Sequence, residues 1–164
     1  LMLLKDFILK YDINKIHVYG LIPQEGTMFE KASIPSGEEQ AWWIAQLRIT
    51  FPTLDIQCGV WEDRVDRISL LLAAGANSIS KFKATKLFGT RVAWDIEKQA
   101  EKAGRIFKGT LTKLPEVDWE EEVRKLPFPE DLKLKIRNKL FDDYLSRMRR
   151  NTTQLEKELL EVAS

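Results

Sequence analysis

The run Gly75 to Thr90, GANSISKFKATKLFGT, constrains the fold most, because it leaves a helix at a glycine stop and passes directly into a short strand, Asn77 to Lys81. Two similar units precede it. Lys15 to Leu21 alternates as a strand does. Ser36 with Glu39 three residues on forms a capping box, which predicts a helix from Gly37 to about Thr50 carrying Trp42, Trp43, Ile44 and Leu47 and ended by Pro52. Leu54 to Cys58 reads as the second strand and Asp63 to Ala74 as the second helix, with Asp63 as its cap. Strands that alternate with helices predict parallel pairing through right-handed crossovers, and therefore an α/β fold.

The flanks read as helical. Leu3, Leu4, Phe7 and Ile8 recur at helical spacing before Asn14 breaks the pattern. Val92 to Ala103 is a further helix stopped by Gly104, and Arg105 to Leu114 is weakly strand-like. Asp118 and Glu121 cap a short helix that Pro127 and Pro129 interrupt. Leu132, Ile136, Leu140, Tyr144 and Met148 then fall at every fourth position, a stripe that must pack on something. Thr152 to Val162 closes the sequence as a charged amphipathic helix. The expected organisation is an α/β portion over 1–115 and a helical extension over 116–164.

Composition removes several classes of function. The chain has 164 residues, 44% of them hydrophobic, with five tryptophans and eight phenylalanines, enough to bury a core. Its net charge of +1 exerts no general pull toward nucleic acid or an acidic membrane. Arg147, Arg149 and Arg150 are offset by Glu156, Glu158 and Glu161, so that segment reads as a helix surface. No apolar run approaches the roughly 20 residues that span a bilayer, and Lys5 and Asp6 interrupt the apolar start. One cysteine, Cys58, forms no internal disulfide, and a cytoplasmic location is the default expectation. No set of metal ligands is visible, and no catalytic residue can be assigned.

The chemistry-bearing residues lie on the strands. Side chains alternate, so His17 and Tyr19 share one face while Ile16 and Val18 share the other. Asp55 and Gln57 likewise oppose Leu54, Ile56 and Cys58, and Ser78 and Ser80 oppose Ile79. A face that is polar three times running suggests a ligand-holding lumen; the alternative is that these groups satisfy one another or face solvent. Cys58 on the apolar face reads as a small hydrophobe, and His17 has no visible partner. Trp61, Glu62 and Asp63 follow the second strand, where barrel loops carry active sites, which makes Glu62 a substrate-contact candidate. Lys81, Lys83 and Lys86 interleave with Phe82 and Phe88; they read mainly as solvated loop lysines, the alternative being a site that receives a carboxylate or phosphate.

Three segments together resemble a known family. HVYGLIPQEGTMFE (His17 to Glu30), EEQAWWIAQLRITFPTLDIQCG (Glu38 to Gly59) and GANSISKFKATKLFGT are similar, in order and spacing, to the sixth strand with its Gly-Thr turn, the following helix and seventh strand, and the last strand of radical S-adenosylmethionine enzymes of the biotin synthase and lipoyl synthase type. The resemblance covers roughly Lys15 to Gly104, a little over half of the chain. It implies the last three strand–helix units of a TIM-type barrel followed by a helical tail. A complete barrel takes about 250 residues, and the opening Leu1-Met2-Leu3-Leu4 does not read as a natural start, so a C-terminal portion of a longer protein is expected.

The resemblance also assigns roles. It implies that Tyr19 faces substrate, that Ile22 packs against the adenine of S-adenosylmethionine, and that the Gly26-Thr27 turn closes over that cofactor, with Met28 where the family has proline. His17, Asp55, Gln57 and Ser78 complete the expected substrate wall. Biotin synthase carries, at the position matching Gln57, an arginine that binds a second iron-sulfur cluster; uncharged Gln57 implies that this cluster is absent and that the product is not biotin. The family's [4Fe-4S] cluster needs three cysteines in a C-x3-C-x2-C loop, so cluster and cofactor belong to the parent protein and this chain alone is expected to hold neither and to be inactive. The implied partners are a small-molecule substrate and the N-terminal barrel half, with self-association through an exposed sheet edge, and neither nucleic acid nor membrane. The competing expectation is a stand-alone, noncatalytic α/β module that binds a small molecule or a partner subunit.

Overall fold

The computed structural model describes residues 2–80 and 82–163; Leu1, Lys81 and Ser164, and with them the end of the predicted third strand, lie outside the described residues. Helix α1 (Met2–Lys10) leads into strand β1 (Lys15–Tyr19), then α2 (Gly37–Thr50), β2 (Asp55–Gly59), a 3-10 turn (Glu62–Arg67), α3 (Ile68–Ala73) and β3 (Ser78–Ser80). The strands form one parallel sheet in the order β1-β2-β3, with Ile16 opposite Ile56, Val18 opposite Cys58 and Cys58 opposite Ile79. The strand–helix alternation is therefore an α/β fold, as expected. The strand bounds differ from expectation: β1 ends at Tyr19 rather than Leu21, and β2 runs one residue later, Asp55–Gly59 rather than Leu54 to Cys58.

Helix α2 starts as its sequence dictates. The Ser36 side chain accepts from the Glu39 amide at 3.1 Å, and the Glu39 carboxylate accepts from the Ser36 amide at 2.7 Å, so two otherwise unpaired donors are satisfied. The helix buries Gln40, Ala41, Ile44 and Leu47, and α3 buries Ile68, Leu71 and Leu72. With Ile56 and Cys58 they make the core of this part of the chain, and Ile44, Ile56, Ile68 and Leu71 are fully enclosed. Each such side chain contributes roughly 1.5–3 kcal/mol by leaving water. Trp42 and Trp43 lie on the opposite side of α2, half exposed, with ring centroids 4.9 Å apart in an edge-to-face pair.

The second helix departs from expectation at its start. Its first residues form the 3-10 turn, no side chain caps it, and Asp63 pairs with Arg64 instead. The turn is broken at Arg64, whose φ of −139° and ψ of 28° are not helical. Gly75 does end α3, at φ +115°, its amide donating to Leu72 O at 3.1 Å. A side chain there meets two obstacles: the left-handed backbone, and Arg48, whose Cγ lies 2.8 Å from where a Cβ would stand.

The chain packs as two compact units, 1–82 with 98–106, and 83–97 with 107–164. In the second unit, α4 (Ala84–Leu87) was not foreseen, and α5 (Arg91–Lys102) starts one residue earlier than expected and carries the chain from this unit into the first. The segment 105–114 is not a strand. Glu97 holds it instead, accepting from Thr110 Oγ1 at 2.8 Å, the Leu111 amide at 2.5 Å and Thr112 Oγ1 at 2.9 Å. Asp118 caps α6 (Trp119–Arg124) as predicted, its side chain accepting from the Glu121 amide at 3.0 Å. The tail is one continuous helical run rather than two helices: α7 (Glu130–Asn138), a π-helical turn (Lys139–Leu145) and α8 (Ser146–Ala163). Asn151 ties α8 to α4 by donating to Lys86 O at 3.1 Å and Phe88 O at 2.9 Å.

Arg48 joins the end of α2 to the α3–β3 turn. Its guanidinium donates to Gly75 O from Nε at 3.0 Å and Nη2 at 2.9 Å, to Pro52 O at 2.8 Å and Phe51 O at 3.3 Å, and to Asn77 Oδ1. Arg48→Ala leaves Gly75 O without its donors, while Phe51 O keeps the Leu54 amide and Pro52 O is open to water, and should cost about 1–3 kcal/mol, with Arg48→Lys recovering only part of it, because an ammonium cannot reproduce the fork. Urea unfolding measures both. A loss below about 0.5 kcal/mol, the range of an ordinary surface substitution, contradicts this role.

Candidate functional site

The parallel register arranges the polar side chains in three tiers across the sheet face opposite α2 and α3. Lys15 stands opposite Asp55; His17, Gln57 and Ser78 form the second tier; Tyr19, Gly59 and Ser80 form the third. The five substrate-wall residues expected from sequence, His17, Tyr19, Asp55, Gln57 and Ser78, thus share one face. His17 and Tyr19 are exposed, while Asp55, Gln57 and Ser78 are half-buried.

Each tier has its own chemistry. In the first, Lys15 Nζ and Asp55 Oδ2 form a 2.9 Å ion pair, and Asp55 Oδ1 is enclosed without a hydrogen-bond partner. In the second, Gln57 Nε2 donates to Ile79 O at 3.2 Å, which leaves its carbonyl oxygen for another group, and the Ser78 hydroxyl is enclosed with no partner. In the third, the Tyr19 hydroxyl lies 3.0 Å from His17 Nδ1 and 3.2 Å from Ser80 Oγ. Ser80 Oγ can donate to the phenol or to Cys58 O at 3.5 Å, and which of His17 and Tyr19 donates in their contact depends on the imidazole tautomer. His17 therefore has the partner that sequence reasoning did not find.

Gly59 makes the third tier possible. A Cβ at this position would stand 1.8 Å from Cδ1 of Tyr19, so the ring lies directly over the β2 backbone and reaches from β1 to Ser80 on β3. Only glycine admits that approach. The sequence shows a glycine after Cys58 but not which ring needs the space, because that depends on the register.

Behind the sheet, Gln40 is 4% exposed and donates from Nε2 to Val18 O at 3.2 Å and Gly59 O at 3.1 Å, closing the gap between the ends of β1 and β2. Cys58 lies on this side, fully buried, with Sγ 3.5 Å from Ser78 O. Burial pushes its thiol up to about 11. A thiol held protonated and out of solvent is a poor metal ligand or nucleophile. Among the described residues no group of three or more His, Cys, Asp or Glu side chains is placed to hold a metal ion.

The loop after β1 carries the three expected cofactor contacts. Ile22 is 38% exposed, and Gly26, at φ +75°, and Thr27 form a turn. Glu30 accepts from the Gly26 amide at 2.9 Å, and the Thr27 hydroxyl donates to Gln24 O at 2.8 Å, so the turn is held by its own residues. Of the residues after β2, Glu62 and Asp63 are exposed, whereas Arg64, which sequence reasoning passed over, has a side chain only 13% exposed. No pattern around Arg64 marks it in the sequence; it sits where the backbone leaves helical dihedrals.

The chain is 35% identical over 128 residues to an uncharacterized protein of the archaeon Methanocaldococcus jannaschii, a match over 78% of this chain and 36% of that protein. The chain therefore spans about a third of the length of the curated relative it matches. No family model matches it, and no solved structure does. Among the described residues no helix is long and apolar enough to cross a membrane.

The state of Cys58 sets a pH dependence. Below the thiol's ordinary value of 9.0 the group is protonated whether the chain is folded or not, and adds none. From 9.0 to about 11 the unfolded chain releases a proton that the folded chain keeps, so stability falls by up to about 3 kcal/mol. Denaturant titrations at pH 8 and pH 10.5 should show about 2 kcal/mol of that loss in the native sequence and much less in Cys58→Ser, and a thiol reagent should label Cys58 only in denaturant. Rapid labelling of the folded chain contradicts its place in the core.

Proposed function

We propose that this chain is the substrate- and cofactor-lining C-terminal portion of a radical S-adenosylmethionine enzyme similar to biotin and lipoyl synthases, built as the last three strand–helix units of a TIM-type barrel with a helical extension. The observation that carries the reading is the sheet itself: three parallel strands in sequential order, helices on one face, and tiers of polar side chains on the other. In a closed (β/α)8 barrel the face away from the helices is the interior, which branched apolar residues normally fill. His17, Tyr19, Asp55, Gln57 and Ser78 leave it polar here, as a chamber for a polar substrate requires.

The chain's residues fit the two parts of the cofactor unequally. A [4Fe-4S] cluster needs at least three thiolates, and the single cysteine is enclosed and protonated; its ligands belong to another part of the parent protein. The adenine fits better, since Ile22 is a partly exposed aliphatic side chain in the loop after β1 and the Gly26-Thr27 turn follows it. Bound at its cluster, S-adenosylmethionine supplies a 5'-deoxyadenosyl radical for hydrogen abstraction, as in sulfur insertion or related cofactor biosynthesis. This chain's part is to wall the adenine with Ile22, orient substrate against Tyr19, His17 and Gln57, and keep water from the reacting carbon. The partners are a small-molecule substrate and the preceding barrel half, in the cytoplasm; the isolated chain is inactive, and the open edge of β1 is where it self-associates.

A second reading, a noncatalytic α/β module that binds a small molecule or partner subunit, draws on the bonds among Tyr19, His17 and Ser80 and from Gln57 to Ile79 O, which satisfy much of the polar face without a ligand. One experiment separates the two. The complete product of the gene encoding this segment, purified and reconstituted without oxygen, should carry a C-x3-C-x2-C loop, bind about four irons and cleave S-adenosylmethionine to 5'-deoxyadenosine on reduction. Absence of the loop, or a reconstituted protein that releases no 5'-deoxyadenosine, overturns the proposal in favour of the module.

A further inference from the structure

Arg64 is a largely enclosed charged side chain near the ends of the strands, and the fold uses little of its guanidinium. Its side chain is 13% exposed, yet its guanidinium meets one acceptor among the described residues, Asp63 Oδ2 at 3.4 Å from Nε. That contact is long and comes from an exposed neighbouring carboxylate. Removing a guanidinium from water is costly unless good acceptors replace its hydration. Arg48 and Arg67 obey that rule: Arg48 donates to three carbonyls and Arg67 donates to Pro35 O at 2.8 Å. Among the described residues Arg64 has no such acceptor for Nη1 or Nη2.

The position of the group is as telling as its partners. Arg64 follows β2, and its Nη1 lies 3.7 Å from where a Cβ of Gly20 would stand, so it reaches from the β2–α3 connection back to the residue that follows β1. Its backbone breaks the 3-10 turn at that point. Ligands of open and closed parallel sheets bind beyond the carboxyl ends of the strands, which is where this guanidinium sits. The nearby start of α2 is already occupied by its own capping box, and Arg67 beside it donates to Pro35 O.

We infer that Arg64 is a binding residue for the carboxylate of a small-molecule ligand, held by the guanidinium fork at the ends of β1 and β2. A carboxylate matches the fork in plane and spacing and balances one positive charge with one negative. A phosphate dianion gathers more donors than one side chain, and the acidic Glu62 and Asp63 beside Arg64 oppose a second negative charge. Asp63 is then an internal stand-in that the ligand displaces. The inference stands on Arg64 itself and rests on the proposed function only in taking that carboxylate to be the substrate's.

The test uses the chain, isotopically labelled, with acetate as probe and chloride and inorganic phosphate as controls at matched ionic strength. The Arg64 Nε–Hε resonance, assigned by its absence in Arg64→Gln and Arg64→Lys, should shift saturably with acetate. Chloride should shift it without saturation, and phosphate should bind more weakly than acetate. Asp63→Asn, which removes the competitor, should tighten acetate binding about threefold or more. Saturable shifts of neighbouring amides such as Gly20 should vanish in Arg64→Gln and weaken about tenfold in Arg64→Lys, both with an unchanged far-ultraviolet spectrum. Equal responses to acetate and chloride, tighter phosphate binding, or a Gly20 response retained in Arg64→Gln overturns the inference. Because no cluster or cofactor enters the measurement, a failure here leaves the enzyme reading to its own experiment.

Discussion

The Tyr19 ring over Gly59 is the contact on which the character of the sheet depends. It decides that the third tier is a bridge across all three strands rather than three separate side chains, and it places the phenol between His17 and Ser80. Parallel pairing puts Tyr19 opposite Gly59 and Gly59 opposite Ser80, so the bridge forms only in this register. A slip by one residue would turn the polar set toward α2 and α3 and the apolar set toward the open face.

The register is itself held from the helix side. Arg48 and Asn77 fix where β3 begins: Asn77 Oδ1 accepts from the Ile56 amide at 3.0 Å and the Asn77 amide donates to Ile56 O at 2.7 Å, while Arg48 grips Gly75 O just before it. Gln40 fixes the other end of the sheet through Val18 O and Gly59 O. Polar side chains of α2 thus set strand alignment, while its apolar residues supply the burial. The two tasks fall on residues a turn apart: Gln40 and Ile44 face the sheet together, and Arg48 continues that row to the end of the helix.

Local chemistry made much of this legible in the sequence. The Ser36–Glu39 box, the Gly75 stop and the two-residue alternation of β1 and β2 each depend on neighbours a few residues apart, and the structure places them as expected. What the sequence hid depends on long-range placement or on competition between weak local signals. The segment 105–114 has strand-like residues, but Glu97 takes its donors and it joins no strand among the described residues. Asp63 looks like a cap, but the backbone turns at Arg64 and the carboxylate meets the guanidinium. The π-helical turn that fuses the two tail helices also has no counterpart in the spacing, since Leu132, Ile136, Leu140, Tyr144 and Met148 keep a four-residue period across it. The candidate site was legible as a face, but not as a set of bonds.

The central claim is that the polar face is an interior surface and that the free edge of β1 belongs beside another strand. An exposed parallel edge is a liability that proteins pair or cover. Amide hydrogen exchange over Lys15–Tyr19 tests this directly when the chain is compared with the complete product of its gene. The account predicts that the amides of β1 directed away from β2 exchange freely in the chain at concentrations too low for it to self-associate through that edge, and are slowed at least about a hundredfold, roughly 3 kcal/mol of added protection, in the complete protein. Equal exchange of those amides in the two proteins would contradict it.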